Sequence, residues 1–298
     1  MAVKLDDILV VGISSRALFD LEEENRIFEE QGLKAYSEYQ KAHENDILRP
    51  GTAFPLVKAL HNLNRKERLT EIIIMSKNSA DTSMRIFNSI EHYGLDISRA
   101  ALVGGAPIEP YLKPFRTDLF LSANEADVQE AINAGIAAAR ICTSENLSIN
   151  AGEEINQIRI AFDGDAVLFS DEAERIYQRN GLDAFIEHER SNARSPLKQG
   201  PFAKLLFTLS YLQNNFGDDE APIKTALVTA RSNQANARVI KTLEAWDIRI
   251  DEAFFLGGVE KSEVLDAFGA HIFFDDQDVH LERAASHVPS AKVLGKNN

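Results

Sequence analysis

Four short segments in the second half of the chain carry side chains that could do chemistry together. They are DGDAVLF (163–169), LVTARS (227–232), GGVEKS (257–262) and IFFDDQ (272–277). Asp163, Thr229 and the pair Asp275–Asp276 each follow directly after a short apolar run that reads as a strand. In an open parallel sheet ligands bind beyond the carboxyl ends of the strands, so these side chains are expected to converge on one edge. Carboxylates gathered there repel one another, and a hard divalent cation is the simplest way to offset that repulsion; oxygen-only ligands suit Mg²⁺. A carboxylate-held magnesium implies an oxyanion-rich substrate. Lys261 and Thr229 supply the cation and the hydroxyl that phosphoryl oxygens need as charge spreads in a transition state. An Asp carboxylate in such a site can attack phosphorus and form an aspartyl phosphate that water then hydrolyses. Asp165, two residues beyond Asp163, is placed to protonate a leaving alkoxide and later to activate that water. Arg231 and Ser232, just after Thr229, are candidates to contact the same phosphoryl group, weighed evenly against a structural role. DGD alone is as readily a solvated turn; T, K and DD following in order outweigh that reading.

The elements that must position these residues occur twice. Apolar runs rich in Ile, Val and Phe predict strands at 7–12, 71–76, 100–103 and 118–121, and again at 158–163, 224–229, 253–256 and 271–274. Helical patterns such as SMRIFNSIEHY and NARVIKTLEAW lie between them, as a parallel sheet requires. EADVQEAINAGIAAAR (125–140) has helical spacing and strong helix formers throughout, which predicts one further helix. Segments of the two halves match in order, and Gly32 with Gly181, Gly51 with Gly200 and Arg85 with Arg238 recur at nearly constant offset. The expected fold is therefore α/β, three layers around a parallel sheet, internally duplicated. The first unit, 1–150, and the second, 151–298, meet in the polar stretch SENLSINAGEE, and helices at 171–220 are expected to cap the second. In this alignment Asp163 and Asp165 fall on Ile13 and Ser15, Thr229 on Ser76, Lys261 on Ile108, and Asp275–Asp276 on Ser122–Ala123. The chemistry is thus expected in the second copy.

The four motifs resemble those of the haloacid-dehalogenase (HAD) superfamily of phosphohydrolases. More closely, FDLEEENRIF, HENDILRPGTAFPLVKALHNLN, NSIEHYGL, AFDGDAVLFSDEAERI, LVTARS and HIFFDDQ resemble the cytosolic 5'-nucleotidase type I family, in particular its bacterial members. That resemblance implies a HAD-like Rossmannoid fold and Mg²⁺-dependent hydrolysis of nucleoside 5'-monophosphates. It also implies roles: Asp163 as nucleophile and magnesium ligand, and Asp165 as acid/base that offers its backbone carbonyl to the metal. Thr229 would bind the transferring phosphoryl group, Lys261 would neutralise it, and Asp275 and Asp276 would complete the metal site. The alternatives are a HAD phosphatase acting on another small phosphomonoester, or a non-catalytic nucleotide-binding regulatory protein.

Bulk composition excludes other classes. With 46 acidic against 32 basic side chains the formal charge is −14, which repels a nucleic-acid polymer in the absence of a basic patch. No apolar run reaches membrane-spanning length, and the single Cys142 excludes an internal disulfide, so a cytoplasmic setting is expected. A nucleotide effector and a homo-oligomer both stay open. In the cap, Phe185, His188, Arg194 and Lys198 are candidates for base or sugar, each outweighed by a core or solvated-surface reading. His271, His280 and His287 lack metal-ligand spacing, and Trp246 reads as packing. The GG pairs at 104–105 and 257–258 are expected to make tight turns, the second presenting Lys261.

Overall fold

The structure, a computed structural model, describes residues 8–64, 68–144, 146–216, 221–232 and 235–296. Residue 7 of the first expected strand, residue 145 of the expected boundary and residues 217–220 of the expected cap lie outside them. The apolar runs of the first half form β1 (Leu9–Ile13), β2 (Thr70–Ser76), β3 (Arg99–Leu102), β4 (Leu119–Ser122) and β5 (Ala137–Cys142). Those of the second form β6 (Ile158–Phe162), β7 (Ile223–Thr229), β8 (Glu252–Phe255), β9 (Ile272–Asp275) and β10 (Ser290–Val293). They make one sheet in the order β3-β2-β1-β4-β5-β10-β9-β6-β7-β8. Neighbours pair in parallel except at the centre, where β5 and β10 run antiparallel, Cys142 opposite Ser290. The two halves therefore repeat one strand order outward from a central antiparallel pair, which is the arrangement a local two-fold would generate.

Both faces of a parallel sheet are covered, which is why its strands are apolar on both sides. On one face a single apolar cluster runs beneath both halves and contains residues of α3 (Phe54–Leu63) and α8 (Ala203–Asn214). On the other face each half has its own cluster. In the first it includes Val128, Ala131 and Ile132 of α6 (Glu125–Asn133); in the second it includes Leu265 and Phe268 of α10 (Ser262–Phe268) and Leu281 of α11 (Asp278–Ala284). The halves are also tied directly. Lys58 and Asn62 of α3 donate to the carbonyls of Ala151 and Ile155, the latter at 2.7 Å.

Two expectations are corrected, and one strand is added to those expected. The helix expected over 125–140 ends at Asn133: Gly135, at φ 83°, stops it, and Ala137–Cys142 becomes β5. Alanine's helix propensity loses here to tertiary context, because the sheet's centre demands a strand with small side chains against α6. The strand β10 was not expected at all. The cap expected over 171–220 divides: α7 (Glu172–Ser191) reaches the site described below, whereas α8 buries Leu205, Leu206, Leu209 and Leu212 in the main core. The counterpart of α7 in the first half is α2 (Glu22–Ala42), and each is broken by one glycine, Gly32 at φ 82° and Gly181 at φ 80°. A left-handed residue inside a helix is tolerable only without a Cβ, so the break is written into the sequence.

Candidate active site

Asp163 directly follows β6, and its N–H donates to the carbonyl of Phe274 on β9 at 2.8 Å, which pins it between two strands. The chain then makes a single wide turn over Gly164–Leu168, closed by the Phe169 N–H donating to the Gly164 carbonyl at 2.9 Å. Ala166 in this turn has φ 61°. In the first half Ser14 makes the same strand contact, its N–H to the Leu121 carbonyl at 2.8 Å. There the following turn closes one residue sooner, Phe19 N–H to Ser15 carbonyl at 2.9 Å. Strand register agrees: Ile13 sits opposite Ile74 as Phe162 sits opposite Leu227. Asp163 is thus the counterpart of Ser14, not of Ile13 as the ungapped alignment has it. The second half carries one extra turn residue, and the resulting π-type bulge is a kind of irregularity frequent at functional sites.

Lys261, just before α10, is buried and bridges two carboxylates, with Nζ 2.6 Å from Asp163 Oδ1 and 2.6 Å from Asp275 Oδ2. Its ammonium also lies 5.4 Å from the centre of the Phe273 ring. The turn before it uses Gly257 and Gly258 at φ 58° and 93°, as expected. Asp275, the last residue of β9, is held by the Gln277 N–H on Oδ1 at 2.8 Å and by His280 Nδ1 at 3.1 Å from Oδ2. Asp276 projects beside them, and its Oδ1 is buried without a hydrogen-bond partner. Oxygen atoms of Asp163, Asp275 and Asp276 all lie within 4.8 Å of one another.

Three carboxylates gather around an ammonium that pairs with only two of them, Asp163 and Asp275, and their protonation reflects the shortage of positive charge. Burial pushes Asp163 up to about 7, with Lys261 opposing and Asp275 adding to the shift. Burial, then the charges of Asp163 and Asp275, push Asp276 up to about 8. Burial also acts to raise Asp275, but His280 and Lys261 prevail and hold it below the usual carboxylate range. Burial works against the Lys261 charge, yet Asp163 and Asp275 keep its pKa above normal. An orphaned buried oxygen, an all-oxygen donor set and unbalanced negative charge fit a hard divalent cation held by Asp163, Asp275 and Asp276.

The side chain of Asp165 is not in that cluster. Both its oxygens accept from Arg231, Nε to Oδ2 at 2.7 Å and a terminal nitrogen to Oδ1 at 2.7 Å. Arg231 also donates to Glu189 of α7 and lies 5.2 Å from the Phe185 ring. Glu189 is 1% exposed and is held below its usual pKa; burial alone would raise it, but Arg231 and Arg238 outweigh that. Arg238, on α9 (Asn236–Trp246), donates to Glu189 at 2.9 Å. A buried four-residue ion network therefore joins the turn after β6, the end of β7 and the cap helix.

Thr229 ends β7 and is buried, its Oγ1 accepting from the Arg231 N–H at 3.2 Å. A side chain begun at Gly164 would meet that oxygen at 3.5 Å, which places Thr229 against the turn after Asp163. Ser232 is half-buried, and its carbonyl accepts from Ala235 N–H at 3.0 Å. Of the cap candidates, Phe185 lies under Arg231 and His188 sits 3.2 Å from Glu189. Arg194 is exposed, and Lys198 pairs with Glu172 at 3.3 Å, so the structure does not bring either to the cluster. His271 accepts a backbone N–H from Arg159 at 2.9 Å, His287 is exposed, and Trp246 packs on Phe169 and Phe207. Glu189, Arg238 and the contact of His280 with Asp275 were not anticipated. Only His280 had a local signal, one helical turn past DDQ.

A family model described as 5'-nucleotidase matches residues 1–298. Human "Cytosolic 5'-nucleotidase 1B" is 42% identical over 307 residues, an alignment covering 99% of this chain and 50% of that protein. The chain thus spans about half the length of this curated relative. No solved structure matches the chain significantly. Among the described residues no helix is long and apolar enough to cross a membrane. A full-length family match and a carboxylate–lysine cluster at the strand ends lead to one conclusion: the chain belongs to the 5'-nucleotidase family.

Proposed function

We propose that the chain hydrolyses nucleoside 5'-monophosphates to nucleoside and phosphate, with Asp163 as nucleophile and Mg²⁺ as the metal. The observation that carries this reading is Lys261 bridging Asp163 and Asp275 beside the orphaned oxygen of Asp276. Asp163, Asp275, Asp276 and the backbone carbonyl of Asp165 would hold the cation, which offsets their charge and polarises a phosphoryl oxygen. Asp163 attacks phosphorus, forming an aspartyl phosphate as the bond to the 5'-oxygen breaks, and Asp165 gives that oxygen its proton. Water then attacks the same phosphorus and surrenders a proton to Asp165, and the bond to Asp163 breaks. Thr229 and Lys261 bind the phosphoryl oxygens throughout. Asp165 begins this cycle paired with Arg231. An arriving phosphoryl group competes for that guanidinium, and the freed Asp165 takes up a proton from solvent before the first step; the hydrolytic water restores it at the end of each cycle. Ser232, three residues beyond Thr229, is proposed to add a hydroxyl to phosphoryl binding. The two halves are proposed to be one duplicated HAD-like unit, of which 151–298 is catalytic and 1–150 is not. The cytoplasm is the proposed setting, matching what the human relative's name says of that protein.

Phosphate release from nucleoside 5'- and 3'-monophosphates and sugar phosphates tests this, with Mg²⁺ or EDTA, for the wild type and Asp163→Asn. Metal-dependent release from 5'-monophosphates that the variant lacks is the expected result. Turnover of sugar phosphates but of no 5'-monophosphate would overturn the assignment.

A further inference from the structure

The counterpart of the active site in the first half is a cavity of about 450 Å³. Its strand-end lining follows from the register: Ser14 stands for Asp163, Ser76 for Thr229, Asn78 for Arg231, Ile108 for Lys261 and Ser122 for Asp275. The hydrogen bonds repeat as well. Asn78 N–H donates to Ser76 Oγ at 3.2 Å as Arg231 N–H does to Thr229, and Asn124 N–H to Ser122 Oγ at 3.1 Å as Gln277 N–H does to Asp275.

We infer that this cavity is a second ligand site, binding a ring-bearing phosphomonoester of the nucleoside monophosphate class without a metal and without hydrolysing it. The inference goes beyond the proposed reaction and does not depend on it. Three observations carry it.

The carboxylates that make the second half need a cation are gone, so an anion meets no repulsion that a metal must relieve. The acids that line the cavity are already neutralised, Glu24 by Arg85 at 2.5 Å and Asp127 by Lys77 at 2.5 Å. The carboxylate that would attack is a serine hydroxyl here, Ser14, and Lys261 is replaced by Ile108, so binding is not followed by chemistry.

The polar end presents donors without acceptors. Nε of Arg16 and Nδ2 of Asn78 are buried and lack hydrogen-bond partners. The amide orientation of Asn78 is fixed by its neighbours: Gln40 donates to the Tyr36 hydroxyl at 3.0 Å, and that hydroxyl donates to Asn78 Oδ1 at 3.0 Å. Its two N–H groups are left to the cavity it lines. Ser15 and Ser76, 3.2 Å apart, add hydroxyls beside them. Buried donors of this kind call for acceptor oxygens.

The other end offers ring surface. Phe28 and Tyr36, on the broken helix α2, meet edge to face at 5.9 Å and line the cavity. On α7 the corresponding pair, Tyr177 and Phe185, meets in the same way at 6.2 Å. Phe28 is 47% exposed and Leu33 67%, and both line the mouth of the cavity, where a planar base would cover them. The volume is within the usual range for small-molecule pockets.

The test is equilibrium binding of adenosine and uridine 5'-monophosphates in EDTA, followed by recovery of the ligand. Wild type and Asp163→Asn should each bind one molecule per chain and return it intact. Asn78→Asp, which places a carboxylate against the phosphate, should weaken binding by at least about tenfold, and Phe28→Ala should weaken it less. Inorganic phosphate should compete, and the nucleoside alone should bind more weakly. Thermal melts of both variants verify that they fold. The inference is overturned by no binding in EDTA, by equal affinity in folded Asn78→Asp and Phe28→Ala, by loss of binding in Asp163→Asn, or by nucleoside binding as tightly as its monophosphate. Turnover with Mg²⁺ is read separately, so the two proposals fail independently.

Discussion

Arg231 binds both oxygens of Asp165 at 2.7 Å and, with its remaining terminal nitrogen, holds Glu189 of the cap helix. The guanidinium is 5% exposed and its pKa lies well above normal; burial disfavours its charge, but Asp165 and Glu189 outweigh that. One side chain therefore decides both where the cap sits and whether the proposed acid is free.

Arg231→Ala should be costly in two separable ways. Glu189 would keep only Arg238 as an arginine partner, and removal of one member of a buried ion network is worth roughly 3–5 kcal/mol. Urea unfolding should show that loss. Arg231→Lys keeps charge but not the two-pronged geometry, so it should be milder in unfolding and still lower kcat clearly. A lysine variant with unchanged kcat would show that Arg231 only holds the fold.

Metal removal should be felt most through Asp276. In the metal-free protein its carboxyl is raised to about 8, while in the unfolded chain it returns to the ordinary carboxylate value. Between those values the folded state binds more protons, so stability without metal should fall as pH rises through that window. Asp276→Asn removes the penalty, and its melting temperature in EDTA at neutral pH should exceed the wild type's by several degrees, at ~2–4 °C per kcal/mol. Added Mg²⁺ should stabilise the wild type and not the variant. A variant that Mg²⁺ stabilises as strongly as the wild type would remove Asp276 from the metal site.

Gly200 is fixed by close approach. A Cβ there would strike the backbone of Phe169 and Val167, and Gly51 stands against Phe19 in the same way. Neither neighbour is a side-chain tip that can swing aside, so Gly200→Ala must displace the turn after Asp163 or the loop before α8. Both stability and turnover should drop, with a loss of ~1–3 kcal/mol in urea unfolding. Wild-type stability in this variant would mean that the loop has room the structure does not show.

The strand ends, and with them the positions of Asp163, Thr229 and the Asp275–Asp276 pair, were legible because a parallel sheet leaves little choice about where polar residues after apolar runs can go, whereas Lys261, ahead of α10, was marked only by the order of the segments. β5 was not legible: Ala137–Ala139 have helix-forming side chains, and only the meeting of the two halves makes them a strand. The Arg231–Asp165 pair joins residues 66 apart in sequence, and Arg231–Glu189 residues 42 apart, with no local pattern to announce either. The extra residue in the turn after Asp163 was hidden for a different reason. Matching Phe19 to Phe169 absorbs it silently, and only the strand register reveals that Ser14 stands for Asp163.

The last prediction concerns acid stability, where the two halves differ in a measurable way. The residue entering β9 is His271, whose Nδ1 accepts the Arg159 N–H at 2.9 Å; entering β4, Asp118 does the same for the Val10 N–H at 2.9 Å. Burial, helped by the nearby charge of Arg159, lowers His271 to about 4, and the acceptor role requires a neutral ring. In the unfolded chain the imidazole takes its proton near the ordinary value, about 6.5. Between about 6.5 and 4 the unfolded state therefore binds more protons, so the stability from His271 is complete above that window, falls as pH is lowered through it, and changes no further below. The ceiling is ~3 kcal/mol, reduced to roughly 1–2 kcal/mol because solvent reaches part of the ring. His271→Asn keeps an acceptor for the Arg159 N–H but cannot titrate. Its unfolding free energy should decline less than the wild type's from pH 6.5 to 4, and the two curves should run parallel above pH 7. Parallel curves across the acid window as well would show that His271 does not govern acid unfolding.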